Sequence, residues 1–340
     1  MQKARRATMT KSNEVSTVNN ITVYGICKNI MRHDNFLVFT HENPDADTIG
    51  SCFALVNTLR SLGKKAYPAC GDRIPASLVF MTDGERDFHI ENVPADFVPE
   101  YYISVDVASA AQLGNYKQMA NKINLSLDHH ATHDKFAEYY FIDPRAAACA
   151  EIIYHVINRL LIGEIPEKTA SLLYAALAAD TGGFRYANTT PVTHKIAAKL
   201  IERGANHAEI CRNLFECKTK TALAAEAFAM ANVSYFSEGK ISYVKITKED
   251  KRLGGFEDED TYDVINVIRR VDGVKVAILV REKEDGSYKI STRSACEIDV
   301  SKICAIFGGG GHAGAAGCSV TPEEADDAVK RIVKECGFDD

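Results

Sequence analysis

Apolar runs alternate with helix-like patterns along the first half of the chain. The runs at 36–40, 101–107 and 123–127 are apolar nearly throughout, which is typical of parallel strands buried on both faces. Between the first two, apolar residues recur every three or four positions from Ile49 to Leu62, as on one face of a helix. Further helices are predicted over 152–161 and 170–179. The alternation predicts an α/β domain, a parallel sheet with helices on both faces.

The pattern changes after the middle of the chain. Residues 206–231 are rich in alanine and polar on one face, so we predict a helical linker there. Strand-like runs follow at 232–246 and 274–293, with helices expected over 260–270 and 322–336. A chain of 340 residues is also long for one core. We therefore predict three parts: a domain at 20–205, the linker at 206–231, and a smaller α/β domain at 232–340.

Titratable residues follow the predicted strands and one helix. His41, Asp45 and Asp47 come after the first apolar run and Asp106 ends the second. The triplet Asp128-His129-His130 follows the third, and Asp180 closes an apolar helix. Because sites in such sheets form outside the carboxyl ends of the strands, we expect these groups to share one site.

Carboxylates and imidazoles in this combination suit a pair of divalent metals, and two metals are a recurrent device for hydrolysing phosphate esters. Taken singly, Asp47 could be a helix cap and Asp45 or Asp106 a turn residue. The triplet at 128–130 is harder to explain in that way, because half-buried titratable groups are costly without partners. Asp180 would oppose the helix dipole unless a cation compensated it.

Composition and charge exclude several classes of protein to which the chain could otherwise belong. The content is 46% hydrophobic and 25% charged, as in a soluble globular protein, and no apolar run approaches the roughly 20 residues of a membrane span. A net charge of −6 argues against a binder of long duplex nucleic acid. The first twenty residues have no apolar signal segment, and the ten cysteines include no C-x-x-C pair. Reduced thiols and a cytoplasmic location are expected.

Three segments resemble the DHH phosphoesterase family: His41-Glu42-Asn43-Pro44-Asp45-Ala46-Asp47-Thr48-Ile49-Gly50-Ser51, the 128–130 triplet, and Asp180-Thr181-Gly182. The glycine-rich run 309–317 resembles the domain that often follows DHH domains. The resemblance spans about residues 20–340. Within the family, the chain is most similar to the nanoRNase/pAp-phosphatase subgroup. It implies hydrolysis of short oligoribonucleotides (nanoRNA) to mononucleotides, and of 3′-phosphoadenosine 5′-phosphate (pAp) to AMP.

The resemblance also implies roles for the residues of the first domain. One metal would be held by His41, Asp45 and Asp106, and the other by Asp47, Asp106, His129 and Asp180. Asp128 would orient His129 or a neighbouring group. His130 would act as a general acid or contact the phosphate. Mn²⁺ is the expected metal, with Mg²⁺ or Co²⁺ as alternatives.

The second domain would hold the nucleotide across a cleft. Arg293 and Ser294 would grip a terminal phosphate, and the backbone of Gly309, Gly310 and Gly311 would approach it closely, with His312 beside them. Without the resemblance, the glycines could be a flexible loop and Arg293 an edge-strand charge. A homodimer formed through the first domain is a further expectation from the family.

Other functions stay open at this point. A phosphodiesterase for linear or cyclic dinucleotides, such as pApA or cyclic di-AMP, needs the same metals and a nucleotide site. A pyrophosphatase or exopolyphosphatase fits the glycine-histidine run less well. A non-catalytic nucleotide sensor would not need the full ligand set. An RNA-binding module would want aromatic platforms and a basic surface, and neither stands out in the sequence.

Overall fold

The computed structural model describes residues 19–295 and 297–338. The chain divides into two compact units, and the boundary along the chain falls between Phe215 and Glu216. The first unit contains β1 (Asn19–Asn20), α1 (Val23–Arg32), β2 (Phe36–Phe39), α2 (Ala46–Ser61), β3 (Ala66–Ala69), β4 (Tyr101–Val105), β5 (Leu125–Asp128), β6 (Tyr139–Ile142), α3 (Cys149–Leu160), α4 (Glu167–Asp180), α5 (Pro191–Glu202) and α6 (His207–Cys211). The second unit contains α7 (Lys220–Asn232), β7 (Ser234–Phe236), β8 (Ile241–Ile246), α8 (Lys248–Gly254), α9 (Val264–Ile268), β9 (Val276–Glu282), β10 (Tyr288–Ser294), α10 (Val300–Ala305), β11 (Gly310–His312), β12 (Ala315–Val320) and α11 (Ala325–Glu335).

The first unit is built on a parallel sheet. Its strands, as far as the chain is described, lie in the order β1-β6-β5-β4-β2-β3. Side chains of β2 alternate between two cores, because successive residues of a strand point to opposite faces. Phe36 and Val38 pack with α1 to α4, whereas Leu37 and Phe39 pack against a 3₁₀ segment, Ala110–Lys122. The predicted parallel sheet with helices on both faces is confirmed, and on the second face the helical cover is of the 3₁₀ type.

Helices α2 and α4 pack unusually closely. A Cβ atom placed on Gly50 of α2 would lie 2.5 Å from the Leu172 carbonyl oxygen and 2.7 Å from the Ala176 Cβ, so only glycine fits at this crossing. The contact sets the separation between the start of α2 and the end of α4. Those two helix ends carry Asp47 and Asp180.

The second unit has a mixed sheet with its own cores. Within the described residues the order is β11-β12-β10-β9-β8-β7, and all neighbours are antiparallel except β8 and β9. Helices α10 and α11 cover one face. Helices α7 and α9 cover β8 and β9 on the other face, where Ala225 and Ala229 of α7 are fully buried against Leu279. This is the smaller α/β fold expected from the sequence.

The segment predicted as a helical linker is divided between the two units. Helix α6 and the π-helical turn that follows it, Arg212–Glu216, end the first unit. Helix α7 supplies core residues to the second unit, because its alanines allow close packing on the sheet. In the described ranges, no helix is both long enough and apolar enough to cross a bilayer.

Candidate metal centre

The loop after β2 supplies the first two groups of the site. Asp45 caps α2, because its Oδ1 accepts hydrogen bonds from the backbone N–H groups of Asp47 (2.9 Å) and Thr48 (3.1 Å). Its second oxygen lies 3.7 Å from His41 Nε2. The Nδ1–H of His41 donates to the Glu42 carbonyl (2.7 Å). The capping role considered for Asp47 therefore belongs to Asp45, which caps α2 with one oxygen and faces the site with the other.

Asp47 is anchored at the start of α3. Its side chain is buried, and its oxygens accept from the backbone N–H groups of Cys149 (2.6 Å) and Ala150 (3.0 Å) and from the Ser51 hydroxyl (3.2 Å). The positive end of the α3 dipole favours a carboxylate there. Burial, together with nearby Asp106, nevertheless raises the pKa of Asp47 well above its usual range. A further positive charge beside Asp47 would therefore be strongly favourable.

Asp106 lies at the centre of the group. It follows β4 with φ of 59°, a left-handed conformation that aims its carboxylate back over the strand ends. Its Oδ2 is 3.5 Å from His41 Nε2, and its Oδ1 is 3.5 Å from His129 Nε2. Burial alone would raise the pKa of Asp106, but the neighbouring imidazoles hold it well below the usual range. Among the described residues, Oδ1 has no hydrogen-bond partner.

His129 and Asp180 complete the cluster. The Nδ1–H of His129 donates to the Ala146 carbonyl (3.2 Å), which directs Nε2 toward Asp106, Asp180 (3.7 Å) and Asp47 (3.9 Å). A histidine whose other nitrogen is held by a carbonyl is the common arrangement of a metal ligand. Burial raises the pKa of Asp180 to about 7. Nearby carboxylates add to this rise, whereas His129 opposes it.

Asp128 and His130 form a hydrogen-bonded pair beside the cluster. The His130 Nδ1 lies 2.7 Å from Asp128 Oδ1, and that oxygen also accepts from the backbone N–H of His129 (2.8 Å). Burial lowers the pKa of His130, but the carboxylates of Asp128 and Asp106 together more than offset this and the pKa is raised. The contact with Asp128 fixes the orientation of the His130 ring beside the cluster.

The donor set fits a pair of divalent cations. Three groups of candidate ligands each have their ligand atoms within 4.8 Å of one another, and they share members: His41, Asp45 and Asp106; Asp47, His129 and Asp180; Asp106, His129 and His130. Four carboxylates in one cluster, of which Asp47 and Asp106 are buried, repel one another unless cations are present. The buried Asp106 Oδ1 has no hydrogen-bond partner among the described residues, and the pKa values of Asp47 and Asp180 are raised; both observations fit a site that binds cations.

Two supporting residues, Asn188 and His133, lie outside the predicted site residues. The Asn188 side-chain amide donates to the backbone carbonyls of Ala147 (2.9 Å) and Asp180 (3.1 Å), which ties the end of α4 to the start of α3. His133 Nε2 lies 3.0 Å from the Ser126 hydroxyl and 3.9 Å from Asp128 Oδ2. Neither residue belongs to a recognisable motif, so only the tertiary contacts reveal them.

The residues expected to bind substrate lie in the second unit. Arg293 is on β10, where its Nη1 donates to the Thr292 carbonyl (3.1 Å), and the backbone N–H of Ser294 donates to the Gly314 carbonyl (2.9 Å). Arg293 and His312 are both register partners of Ala315. They therefore occupy the same row of the sheet on the two strands that flank β12. The side chain of His312 lies outside the part of the chain that is described.

The glycine run is an edge strand rather than a flexible loop. Gly310 and Gly311 belong to β11, which pairs with β12. A Cβ on Gly309 would lie 2.2 Å from the Gly317 carbonyl oxygen, and one on Gly311, whose φ is 136°, would lie 2.5 Å from the Ala315 carbonyl oxygen. The close pairing requires glycine at these positions.

Two family models match the chain. Residues 35–177 match the DHH family, N-terminal domain, and residues 243–337 match the DHHA1 domain. The chain therefore contains a DHH domain and a DHHA1 domain. The recognition of DHH and DHHA1 domains and the expectation of a hydrolase acting on phosphate esters are both confirmed.

Relatives extend over nearly the whole chain. The bifunctional oligoribonuclease and PAP phosphatase NrnA of Thermus thermophilus is 29% identical over 298 residues, which covers 87% of each chain. The protein of the same name from Bacillus subtilis is 26% identical over 316 residues, covering 92% of this chain and 97% of the relative.

Solved structures share the fold. An exopolyphosphatase-related protein from Bacteroides fragilis has a TM-score of 0.83 at 21% identity, covering 93% of this chain and 97% of that chain. The exonuclease RecJ bound to manganese has a TM-score of 0.53 at 14% identity, covering 94% and 95%. At these identities the likeness concerns the fold alone.

Proposed function

We propose that this DHH protein hydrolyses short oligoribonucleotides to mononucleotides and pAp to AMP. The observation that carries the proposal is the cluster of carboxylates and imidazoles that has Asp106 at its centre, in a chain similar over most of its length to proteins named oligoribonuclease and PAP phosphatase. The expected substrates are small, single-stranded and anionic.

Two divalent ions, with Mn²⁺ as the best fit to mixed imidazole and carboxylate ligands, would be held by the six residues. One ion would bind His41, Asp45 and Asp106, and the other Asp47, Asp106, His129 and Asp180. When bound, such a pair activates water near neutral pH and offsets charge on the attacking and leaving oxygens.

The protein's own groups orient these ligands and handle a proton. The carbonyls of Glu42 and Ala146 fix the rings of His41 and His129. Asp128 holds His130 through Nδ1, so that Nε2 can donate a proton to the leaving oxygen or contact the phosphate. General acid assistance of this kind contributes about 10²–10⁴-fold.

The residues proposed to bind the substrate are Arg293, Ser294, the glycines of β11 and His312. A guanidinium binds a phosphate through two parallel hydrogen bonds. The β11 glycines leave space beside the backbone for close approach of an anion.

The test is a side-by-side assay of the purified protein with Mn²⁺. The substrates are labelled oligoribonucleotides of two to five residues, pAp, pApA and cyclic di-AMP. We expect mononucleotides from the oligoribonucleotides and AMP from pAp, loss of both activities after treatment with EDTA, and recovery on adding Mn²⁺. Turnover restricted to pApA or cyclic di-AMP would instead identify a dinucleotide phosphodiesterase, and binding without any turnover would identify a sensor.

A further inference from the structure

A cavity lies beside the candidate metal centre, at the same edge of the first sheet. Strand β6 is the neighbour of β5, and Ile142 is the register partner of Asp128. The backbone N–H of the following residue, Asp143, donates to the Asp128 carbonyl (3.1 Å). Because these strands are parallel, the segment after β6 lies at the edge where the segments after β4 and β5 carry the proposed metal ligands. Ligands of open α/β sheets bind at that edge.

The cavity has a volume of about 410 Å³, which is within the range of sites that bind small molecules. A second cavity, of about 330 Å³, shares Phe141, Asp143 and Arg145 with the first and extends to residues 20–22. The two cavities therefore adjoin at the end of β6.

The lining favours an uncharged, flat group over a phosphate. Its apolar walls and its charged groups come from Phe141, Ile152 and Val192, and from Asp143, Arg145 and Glu151, respectively. A phosphate would meet two carboxylates and one guanidinium, and even a protonated His155 would leave no excess of positive charge. A nucleobase has apolar faces and amino groups that donate to carboxylates, so it fits this lining better.

Arg145 presents a planar group in a fixed orientation. Its Nε and Nη2 donate to the two carboxylate oxygens of Asp143 (2.9 and 3.2 Å). These bonds occupy one edge of the guanidinium and leave its faces for stacking, since the side chain is 90% exposed. Bases of single-stranded RNA stack on guanidinium planes and on aromatic rings. Arg145 and Phe141 are therefore suited to contact a base.

The cavity also lies close to the proposed chemistry. Ala146 lines the cavity, and its carbonyl accepts the hydrogen bond from His129 Nδ1 (3.2 Å). The cavity thus begins one residue from a proposed metal ligand. A phosphodiester bond at the metals has a nucleoside on each side. By contrast, pAp has a single nucleoside, for which residues of the second unit are proposed above.

We propose that this cavity binds the nucleoside of an oligoribonucleotide that lies across the scissile phosphate from the nucleotide held by Arg293, with its base stacked on Arg145. Arg145 then determines affinity for substrates of two or more nucleotides and does not contribute to binding of pAp. The inference deepens the function proposed above and rests on it.

The first experiment compares wild type, Arg145→Ala and Arg145→Lys on pAp and on a 5′-phosphorylated diribonucleotide. The dinucleotide is also prepared with an abasic ribose at each position in turn. Arg145→Ala is expected to raise KM for the intact dinucleotide about tenfold, a loss typical of one stacked base. KM for pAp should stay within about twofold of wild type, which also shows that the fold is intact.

The abasic substrates separate stacking from the effect of leaving Asp143 unpaired. Wild type should lose about the same tenfold when the base at one of the two positions is removed, and Arg145→Ala should then lose little more. Arg145→Lys should resemble Arg145→Ala, because lysine has no planar face on which a base can stack.

A second substitution tests the cavity from its opposite wall. Val192 is in the first turn of α5, where the helix dipole favours a carboxylate, so Val192→Glu should fold normally. The longer, charged side chain should raise KM for the dinucleotide by a similar factor and leave KM for pAp unchanged. Ile201→Glu is the matched control, because Ile201 lies on the same helix, is 44% exposed against 46% for Val192, and does not line the cavity.

Several results would overturn the inference while leaving the proposed function in place. They are equal weakening of pAp and dinucleotide in Arg145→Ala, wild-type KM for the dinucleotide in Arg145→Ala, Arg145→Lys or Val192→Glu, and a full further loss when the base is removed in Arg145→Ala. If wild type hydrolyses pAp but no oligoribonucleotide, the proposed oligoribonuclease function and the role of Arg145 are both wrong.

Discussion

At the scale of single residues, the site depends on carboxylates and imidazoles that the fold holds in fixed orientations. Asp106 is the central group, because it lies within 3.6 Å of His41, His129 and His130. Its left-handed backbone conformation is uncommon for an aspartate. Such local strain is retained where the surrounding structure imposes it, often at functional sites.

Replacing Asp106 by alanine should lower turnover by about three orders of magnitude or more, because it removes a carboxylate proposed to help hold both metals. The far-UV circular dichroism spectrum should be unchanged, since the side chain is not part of either core. Asp96→Ala, in an exposed loop, is the control and should be fully active. Retention of more than about a tenth of wild-type activity at saturating Mn²⁺ would contradict the proposed role of Asp106 in holding both metals.

His129 and His130 should differ when each is changed to alanine. His129→Ala removes a proposed ligand and should reduce the bound metal measured by elemental analysis. His130→Ala should keep the metal and lower kcat about 10²–10⁴-fold, because the group proposed to donate the proton is lost. Equal loss of metal in both variants would rule out this division of roles.

At the scale of secondary structure elements, helix ends and strand ends place the site. The start of α2 carries Asp45 and Asp47, the end of α4 carries Asp180, and the start of α3 binds the Asp47 carboxylate through backbone N–H groups. The separation of these helices is set by the glycine at their crossing. A change in helix packing should therefore affect metal binding.

Gly50→Ala tests this connection. The added methyl would overlap the Leu172 carbonyl oxygen and Ala176, and overpacking of this kind costs about 1–3 kcal/mol. We expect the free energy of unfolding in urea to fall by that amount and Mn²⁺ affinity to weaken, because α2 and α4 move apart. Ser61→Ala, exposed at the end of the same helix, should change neither quantity. Unchanged stability of Gly50→Ala would mean that the helices can separate without cost.

At the scale of the whole molecule, the proposed chemical and binding groups belong to different units. The candidate metal ligands lie in the first unit, while Arg293 and the β11 glycines lie in the second. If the second unit contributes only to substrate binding, the loss of activity caused by a substitution in that unit should differ between substrates. A generic ester without a nucleotide separates the two contributions.

Arg293→Ala should chiefly raise KM for pAp, by about ten- to a hundredfold, the equivalent of roughly 1.5–3 kcal/mol for a charged contact. Hydrolysis of bis-p-nitrophenyl phosphate should stay close to wild type. Steady-state kinetics on both substrates is the measurement. An equal loss on the two would assign Arg293 to the chemical step or to the fold.

The sequence by itself determined the class of fold and the position of the first unit's candidate site. Buried parallel strands are nearly continuous apolar runs, and their carboxyl ends meet at one edge of a sheet. Polar groups after β2, β4 and β5 therefore had to converge, and the structure brings His41, Asp106 and His129 within a few ångströms of one another. These inferences need only local periodicity and one topological rule.

Only the tertiary structure decided the features that depend on register and packing between distant segments. The hydrogen bonds from backbone N–H groups of α3 to the Asp47 carboxylate join residues about a hundred positions apart. The expected linker is divided between the two units because α7 packs on the second sheet. The glycine run became an ordered edge strand because β12 pairs with it. Periodicity along a chain specifies which residues share a face, but the partner on the next strand or helix is fixed only by long-range contacts.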